Sequence, residues 1–513
     1  MRLVPAGLTC WAVTAAGILW HIGMVLTVVF GVTAALSALS ARLSGRTERR
    51  TACTVVLAAS LIGVGFGIAV TVRDNMIRDH PIGNSVGRER DVTVLVTESP
   101  RLLRGGRMLI RADLRLVGDG ESRGRVVIFA SARDYGAVAA GQSVRLRARI
   151  AAPTRRDLTV AVLTATGRPT IGRATAVQRG AHTLRAQVAA VARDVLPADQ
   201  AALLPALVLG DTSAFPPTVV EQFQVAGLTH LTAVSGANVT IVCGAVLLSA
   251  SFLGPRIAVA LAAAVLVAFV VVVQPTPSVL RAAVMGAITL LAVVSARRRQ
   301  AVPALAATVI GLLAVAPHLA VDIGFALSVS ATAALVVLAP AWSRRLVRRG
   351  WPKPVADAVS VATAAQLVTA PLIAGISGSF SLVAIVANVA VVPVIAPITV
   401  LGTAAAAVCL LAPAAAALLI RFTGPELWWL LRVAQWAAGV PHASVPVPPG
   451  PAGAASVTAA AIVTVALTAR LWDRRGFRIV MACLVMCLLA WSISTGITAR
   501  PTVMSAGRGT MLE

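Results

Sequence analysis

Residues 231–497 form an almost uninterrupted series of apolar runs, and this feature limits the possible folds more than any other. Apolar residues make up 58% of the 513 residues and charged residues only 13%, which is more apolar surface than a soluble core can bury. Runs of about 20 apolar residues are long enough to cross a bilayer as helices. The sequence therefore predicts a polytopic α-helical membrane protein in direct contact with the lipid bilayer.

Apolar runs also fill the N-terminal region, residues 1–72. The first run, 4–36, is too long for one span and is best divided near His21, and another run covers 52–72. About ten further runs follow from residue 231 onward, so the sequence predicts about 13 spans in total.

The run 380–420 is too long for one straight helix, and it carries Asn388, Pro393 and Pro397. We interpret it as a broken or re-entrant element in which Pro393 has a structural role. We expect it to cross the membrane once, because a second crossing would move the arginine cluster near residue 470 out of the cytoplasm.

Arginine-rich loops predict the orientation, because such loops tend to remain in the cytoplasm. They lie at 42–50, 297–299 and 344–353. We therefore expect a multi-pass protein of the cytoplasmic membrane, with its N-terminus in the cytoplasm and a short extracytoplasmic tail at 498–513.

Residues 73–175 differ in character, because charge rises and short β-rich runs alternate with turn signals. Five short strands are typical of a small barrel, so we predict an inserted, extracytoplasmic, all-β domain resembling an oligonucleotide-binding (OB) fold. Residues 73–180 carry 20 arginines and 10 acidic residues, a surface that either follows a phosphate backbone or simply keeps the domain soluble. The candidate strands are 91–97, 107–116, 125–130, 143–150 and 159–164.

Residues 176–230 are predicted to form an amphipathic helical connector, since apolar residues recur at helical spacing with arginines between them. We expect these helices to lie on the membrane surface or to cover the mouth of a channel. Within the connector, Asp211 is a candidate helix N-cap and Gly227 is predicted to end a helix.

A set of polar residues lies at the entrance of the apolar half or inside it. Such groups are costly in a membrane unless each finds a partner, so they mark either a path for a polar solute or contacts between helices. The candidates for a path are His230, Ser235, Gly236, Asn238, Gln274, Ser278, Arg281, Ser328, Gln366 and Asn388.

Arg281 is the most informative of these candidates, because a cation a few residues inside a predicted span is expensive. It either meets a phosphate or pairs with Asp322, which stands at the start of another predicted span and could equally cap that helix. We also expect Ser235, Gly236 and Asn238 to lie near Arg281 in one polar seam.

Catalytic signatures are missing from the sequence. The six histidines are scattered, whereas a hydrolytic zinc site needs several converging ligands. Lys353 is the only lysine and does not belong to a phosphate-binding loop, and no nucleophile elbow is present. We therefore expect no enzymatic activity, no metal and no cofactor.

A series of short motifs resembles the ComEC family of competence proteins, the inner-membrane DNA-uptake channels. The resemblance covers roughly residues 50–497 and is strongest over 200–400. The motifs that carry it are Leu-Gly-Asp at 209–211, Phe223, Gly-Leu-Thr-His-Leu-Thr-Ala-Val-Ser-Gly-Ala-Asn-Val at 227–239, Pro-Ser-Val-Leu-Arg-Ala at 277–282, Asp-Ile-Gly-Phe-Ala-Leu-Ser at 322–328, Gln366 with Pro371, and 381–393 with Asn388.

The resemblance implies that residues 231–497 form a channel that carries single-stranded DNA across the cytoplasmic membrane during natural transformation. It also implies a separate DNA receptor, a separate nuclease and a cytoplasmic ATP-driven motor. The sequence departs from the family pattern at Asn238, where a histidine is common, and in lacking a metallo-β-lactamase-like domain at its C-terminal end.

Two other functions are compatible with the same residues. One is a transporter of another anionic or lipid-linked solute of the cell envelope. The other is a membrane scaffold that transports nothing, since the sequence does not prove a continuous pore.

Overall fold

The computed structural model describes residues 3–44, 47–118, 120–232, 234–274, 276–294 and 300–471. The arginines at 297–299, the predicted span at 478–497 and the tail at 498–513 therefore lie outside the described residues.

Three N-terminal helices precede the β domain: α1 (Leu3–Trp20), α2 (Gly23–Leu43) and α3 (Thr47–Arg78). The predicted division near His21 is confirmed, because α1 ends at Trp20 and His21 adopts a positive φ of 59° between the two helices. His21 Nδ1 lies 2.9 Å from Asp74 Oδ1, and this contact ties the turn to the end of α3.

A barrel-like β domain follows α3, and the structure confirms all five predicted strands. Its elements are β1 (Glu89–Val96), β2 (Arg101–Leu102), β3 (Arg107–Val117), β4 (Gly120–Ser131), α4 (Ala132–Tyr135), β5 (Ser143–Ala151) and β6 (Thr159–Ile171). The sheet order is β1-β5-β6-β4-β3-β2, and pairing of β1 with β3 closes the five long strands on themselves. Pairing of β4 with β6 is parallel, and the other pairings are antiparallel.

The alternation of residues along each strand explains the barrel. In β5, Val144, Leu146, Ala148 and Ile150 are buried, and the residues between them are exposed. The interior is filled mainly by aliphatic side chains and by Tyr135. The outward arginines of β5 face acids of β1, with Arg147 Nε 3.2 Å from Glu89 Oε2 and Arg145 Nη2 3.9 Å from Asp91 Oδ2.

The connector contains α5 (Ala176–Val195), α6 (Ala198–Leu209) and α7 (Pro217–Val225). As predicted, α5 is amphipathic. The expectation that all of these helices lie on a surface is wrong for α6, because every residue from Ala201 to Leu209 is buried. This segment is apolar on all sides, and such a helix is stable only when it is surrounded by other elements.

The membrane half consists of eleven helices in the described residues. They are α8 (Gly236–Ser249), α9 (Pro255–Val273), α10 (Pro277–Val294), α11 (Ala301–Val315), α12 (Ile323–Val337), α13 (Ala339–Val347), α14 (Lys353–Ser377), α15 (Ala384–Val408), α16 (Pro413–Phe422), α17 (Gly424–Gly439) and α18 (Pro451–Leu471). Two short strands, β7 (Ser379–Ser381) and β8 (Ser444–Pro446), pair antiparallel between these helices.

Seven stretches in the described residues are long and apolar enough to cross a membrane. They are α1, α2, α3 with the turn that follows it, α9, α12 with α13, α14, and α15. Many of their side chains are exposed apolar groups, as expected of surfaces that face lipid. The protein is therefore a helical membrane protein with a small barrel-like β domain.

The run 380–420 is broken, as predicted, but the break does not lie at Pro393 or Pro397. Helix α15 runs without interruption through Pro393 and Pro397, because neighbouring helices in a membrane protein can satisfy the carbonyl groups that proline frees. The chain turns only at 409–412, and the ten-residue α16 that follows is too short to cross a membrane of about 30 Å by itself.

Candidate functional site

The segment between α7 and α8 is held against the start of α15. Gly227 has a φ of +70°, and a Cβ on this residue would lie 2.5 Å from the Ala384 Cβ, so only glycine fits. Ser381 Oγ donates to the Val225 carbonyl at 2.6 Å. Asn388 Nδ2 donates to the Ala384 carbonyl at 2.8 Å and lies 3.4 Å from the Gly227 carbonyl. Asn388 therefore fastens this turn to α15.

Asn238 joins the first turn of α8 to the end of α6. It is 6% exposed, and its Nδ2 donates to the Leu207 carbonyl at 3.0 Å. Its Oδ1 accepts a hydrogen bond of 3.4 Å from Ser235 Oγ. The last carbonyl groups of a helix have no partner within the helix, and Asn238 supplies one.

Arg281 is the centre of a polar cluster between α8, α10 and α12. It is only 5% exposed, and its Nε donates to Ser328 Oγ at 2.6 Å. Ser278 Oγ lies 3.2 Å from the same Ser328 hydroxyl, and Arg281 Nη1 lies 3.4 Å from Met285 Sδ. Within the part of the chain that the structure describes, the guanidinium thus contacts only neutral groups. The three path candidates Ser278, Arg281 and Ser328 meet in one cluster.

The possible ion pair between Arg281 and Asp322 does not form. Asp322 is instead the N-cap of α12, where its Oδ1 accepts a hydrogen bond of 2.8 Å from the Phe325 backbone N. None of the ion pairs among the described side chains includes Arg281. The N-terminus of α12 and the Arg281 guanidinium could both bind the Asp322 carboxylate, and the carboxylate caps the helix.

Gly236 brings the α8 turn next to this cluster. A Cβ on Gly236 would lie 3.2 Å from Arg281 Nη2 and 3.6 Å from the Ala282 Cβ. Four of the path candidates therefore lie in one polar seam, which we call the α8–α10 seam: Gly236, Ser278, Arg281 and Ser328. Ser235 and Asn238 are in the same turn of α8 as Gly236, but the Asn238 amide binds the Leu207 carbonyl of α6.

Comparison with known families adds to this geometry. A family model described as "Competence protein" matches residues 207–475, which is just over half of the chain. The chain belongs to the competence protein family. The match is consistent with a ComEC-type competence protein and supports a role in DNA uptake during competence. Searches of curated proteins and of solved structures found no match.

All residues of the α8–α10 seam lie inside the stretch that the competence family model matches. The β barrel and α5 lie before it. The family match therefore includes the seam but not the barrel.

The structure places the remaining path candidates elsewhere. His230 is exposed in the short 3-10 turn Thr229–Leu231. Gln366 is half-buried on α14, with no hydrogen bond among the described residues. Gln274 is 6% exposed and binds the β domain, because its Oε1 accepts hydrogen bonds from the Ser99 backbone N at 3.0 Å and from Ser99 Oγ at 2.8 Å.

Asp211 is not a helix cap, contrary to expectation. Its Oδ1 accepts a hydrogen bond of 3.1 Å from the Ser213 backbone N, and α7 begins six residues later, at Pro217. The carboxylate stabilises a tight turn after Gly210, which ends α6 with a φ of +68°. Asp211 also attracts the buried Arg185 of α5, whose pKa is lowered by burial and partly restored by this negative charge.

His318 is in the 3-10 turn Pro317–Val321 between α11 and α12 and interacts electrostatically with arginines of the β domain. Burial, followed by the positive charges of Arg125, Arg73 and Arg111, lowers the pKa of His318 to about 3. Two of these arginines are on β4 and β3, so the histidine is neutral at ordinary pH at a junction between the β domain and the membrane helices. The sequence contains no local signal for this junction.

Proposed function

We propose that this protein forms a channel through the cytoplasmic membrane for single-stranded DNA during natural transformation. The observation that carries the proposal is Arg281, a buried cation that contacts Ser328 and Met285 and forms no ion pair among the described residues. An arginine without a carboxylate is expensive in a membrane unless its partner arrives as an anionic solute. Phosphates of a DNA strand are such a solute.

The β barrel supports this function if it is an OB fold, a five-stranded Greek-key barrel whose relatives bind oligonucleotides. Numbered by themselves, its five long strands follow the order 1-2-3-5-4 and close on strand 1, with strands 3 and 5 parallel. This order supports the OB assignment. We propose that this extracytoplasmic domain, residues 73–175, guides the strand by charge towards the membrane half.

The charge of the barrel is partly neutralised by its own acids, through pairs such as Arg111–Glu98 and Arg147–Glu89. Binding of single strands by the barrel should therefore be weak, independent of sequence, and rapidly lost as salt is added. Binding that ignores salt would instead assign the arginines to keeping the domain soluble.

The topology that goes with this proposal has about 13 spans, a cytoplasmic N-terminus and an extracytoplasmic C-terminus. The basic segment at 344–353, with Arg344, Arg345 and Arg348 exposed, then faces the cytoplasm. Energy and strand degradation would come from separate proteins, namely an ATP-driven motor and a nuclease, while a DNA receptor would deliver the substrate. We assign no catalysis and no cofactor to this chain.

The test is DNA uptake by a clean deletion strain that carries the wild type or Arg281→Gln. We expect the deletion to abolish transformation, the wild type to restore it, and Arg281→Gln to fail at normal membrane abundance. Arg421→Gln is the matched control, because Arg421 is an exposed arginine of α16. We expect this substitution to leave transformation unchanged. Normal transformation by the deletion strain, together with a change in the cell envelope, would contradict the proposal and favour transport of another anionic solute.

A further inference from the structure

The first turn of α8 has a serine at its N-cap position and yet no side-chain cap. The Ser235 hydroxyl donates to Asn238 Oδ1 at 3.4 Å and accepts nothing from the α8 backbone. The first N–H groups of a helix have no acceptor within the helix, and the described residues offer none to the N–H groups of Gly236 and Ala237. This helix end therefore presents donors that no described residue satisfies, together with the positive end of a helix dipole.

Arg281 lies directly beside these donors. A Cβ on Gly236 would be 3.2 Å from Arg281 Nη2. Since Gly236 is the first residue of α8, this distance places Nη2 at the first turn of the helix, where the N–H groups of Gly236 and Ala237 lie. Arg281 is only 5% exposed, and the described residues give Nη2 no hydrogen-bond acceptor, although Nε and Nη1 contact Ser328 and Met285.

Two positive groups have thus been brought together with no carboxylate among the described side chains that pairs with the arginine. Their mutual repulsion and the burial of the charge both cost free energy. An oxyanion between them would remove both costs, because helix N-termini and guanidinium groups are the common donors to phosphate in proteins.

We propose that the N-terminus of α8 and Arg281 form a binding site for one phosphate group. The N–H groups of Gly236 and Ala237 and the Arg281 Nη2 donate to its oxygens, while Ser328 and Met285 hold the guanidinium in place. The identification of this phosphate as a phosphodiester of the transported strand rests on the proposed function. A single site of this kind binds one nucleotide's charge at a time, which is weak enough to release the strand onward.

Gly236 has a specific role in this arrangement. A methyl group at this position would be 3.2 Å from Nη2, which is closer than an ordinary van der Waals contact, so the guanidinium would have to shift away from the helix end. Gly236→Ala therefore perturbs the site while keeping Arg281 itself. This second variant keeps the proposal testable even if Arg281→Gln does not fold.

The direct test uses the purified full-length protein in detergent and inorganic phosphate as the probe. Phosphate should raise the thermal unfolding midpoint of the wild type above that found with chloride at equal ionic strength. The apparent affinity should fall about tenfold or more in Arg281→Gln, and also fall in Gly236→Ala. Arg421→Gln should retain it. Equal stabilisation by phosphate and chloride, or a phosphate effect that persists in Arg281→Gln, would overturn the site.

A second comparison separates this site from the proposed function. Oligothymidylate should compete with phosphate, whereas the same oligomer with uncharged methylphosphonate linkages should not. Phosphate binding that depends on Arg281, together with normal DNA uptake by Arg281→Gln, would support the anion site and contradict the DNA channel. Loss of uptake without any phosphate binding in the wild type would contradict the site and leave the channel standing.

Discussion

Gln274 and Ser99 are joined by two hydrogen bonds, although 175 residues separate them in the chain. The Gln274 side-chain oxygen accepts both, and the residue is buried at the end of α9 with a φ of +77°. This contact ties the loop after the first barrel strand to the membrane half. The β domain is therefore held on the membrane helices by a specific polar contact.

Replacing Gln274 by alanine should loosen this junction. Both Ser99 donors would lose their acceptor, at a cost of about 1–3 kcal/mol. We expect Gln274→Ala to lower the thermal unfolding midpoint of the purified protein, and Ser99→Ala, which removes only the hydroxyl, to lower it less. Gln300→Ala changes an exposed glutamine with no capping bond and should have no effect. An unchanged midpoint in Gln274→Ala would show that the contact contributes nothing.

Gly227→Ala should reduce the amount of folded protein in the membrane. The new Cβ would be 2.5 Å from the Ala384 Cβ, and φ is +70°, a value that alanine disfavours. Gly244→Ala is the control, because a Cβ on Gly244 would meet nothing within 4 Å and the residue is in the middle of α8. We expect Gly244→Ala to be neutral or slightly stabilising by immunoblotting and thermal unfolding. Equal abundance of the two variants would contradict the close packing of the turn against α15.

Asn238→Ala should destabilise the protein, and Asn238→His should do so less. Alanine leaves the Leu207 carbonyl without its donor, which costs about 1–3 kcal/mol, whereas an imidazole N–H can replace the amide. Thermal unfolding of the two variants, with Thr240→Ala as the exposed control, measures the difference. If alanine and histidine behave alike, the hydrogen bond to α6 is not what Asn238 contributes.

Acid should weaken the structure through His318. Its pKa in the folded protein is about 3, below its ordinary value of 6.5, so between these values the unfolded state binds more protons. Stability should therefore fall as the pH drops from 6.5 towards 3. His318→Gln should show a smaller loss of the unfolding midpoint between pH 7 and pH 5 than the wild type, and His442→Gln, at an exposed position, should match the wild type. A steeper loss in His318→Gln would contradict this assignment.

Strands and membrane helices could be predicted because their signals are local. Alternation along segments such as 143–150 specifies which side chains enter the barrel, and long apolar runs specify helices. The burial of α6 could not be predicted from local signals alone. The residues from Ala201 to Leu209 make the helix apolar on every side, but they do not show which elements surround it. The two prolines of α15 suggested a break in the helix. The neighbouring helices that compensate for these prolines are distant in sequence, so the sequence could not show that α15 continues through them.

The seam was predictable only in part. Polar residues in apolar runs identified Gly236 and Arg281, and the structure brings them together. The partner of Arg281 was not predictable, because Asp322 and Ser328 lie less than two helical turns apart and rotation of α12 decides which of them faces the guanidinium. Ser99 and Gln274 carry no signal of their contact at all.

The most direct measurement of the channel is a chemical crosslink to a strand stalled in transit. Single-stranded DNA with a thiol-reactive group on its backbone, blocked at one end by a bulky protein, would be offered to cells that carry Ser328→Cys or Val267→Cys. Ser328 belongs to the seam, whereas Val267 of α9 is 65% exposed on an apolar helix face. The account predicts a covalent adduct at position 328 and none at position 267 or in the parent protein. Adducts at 267 but not at 328, or uptake with no adduct at the seam, would contradict it.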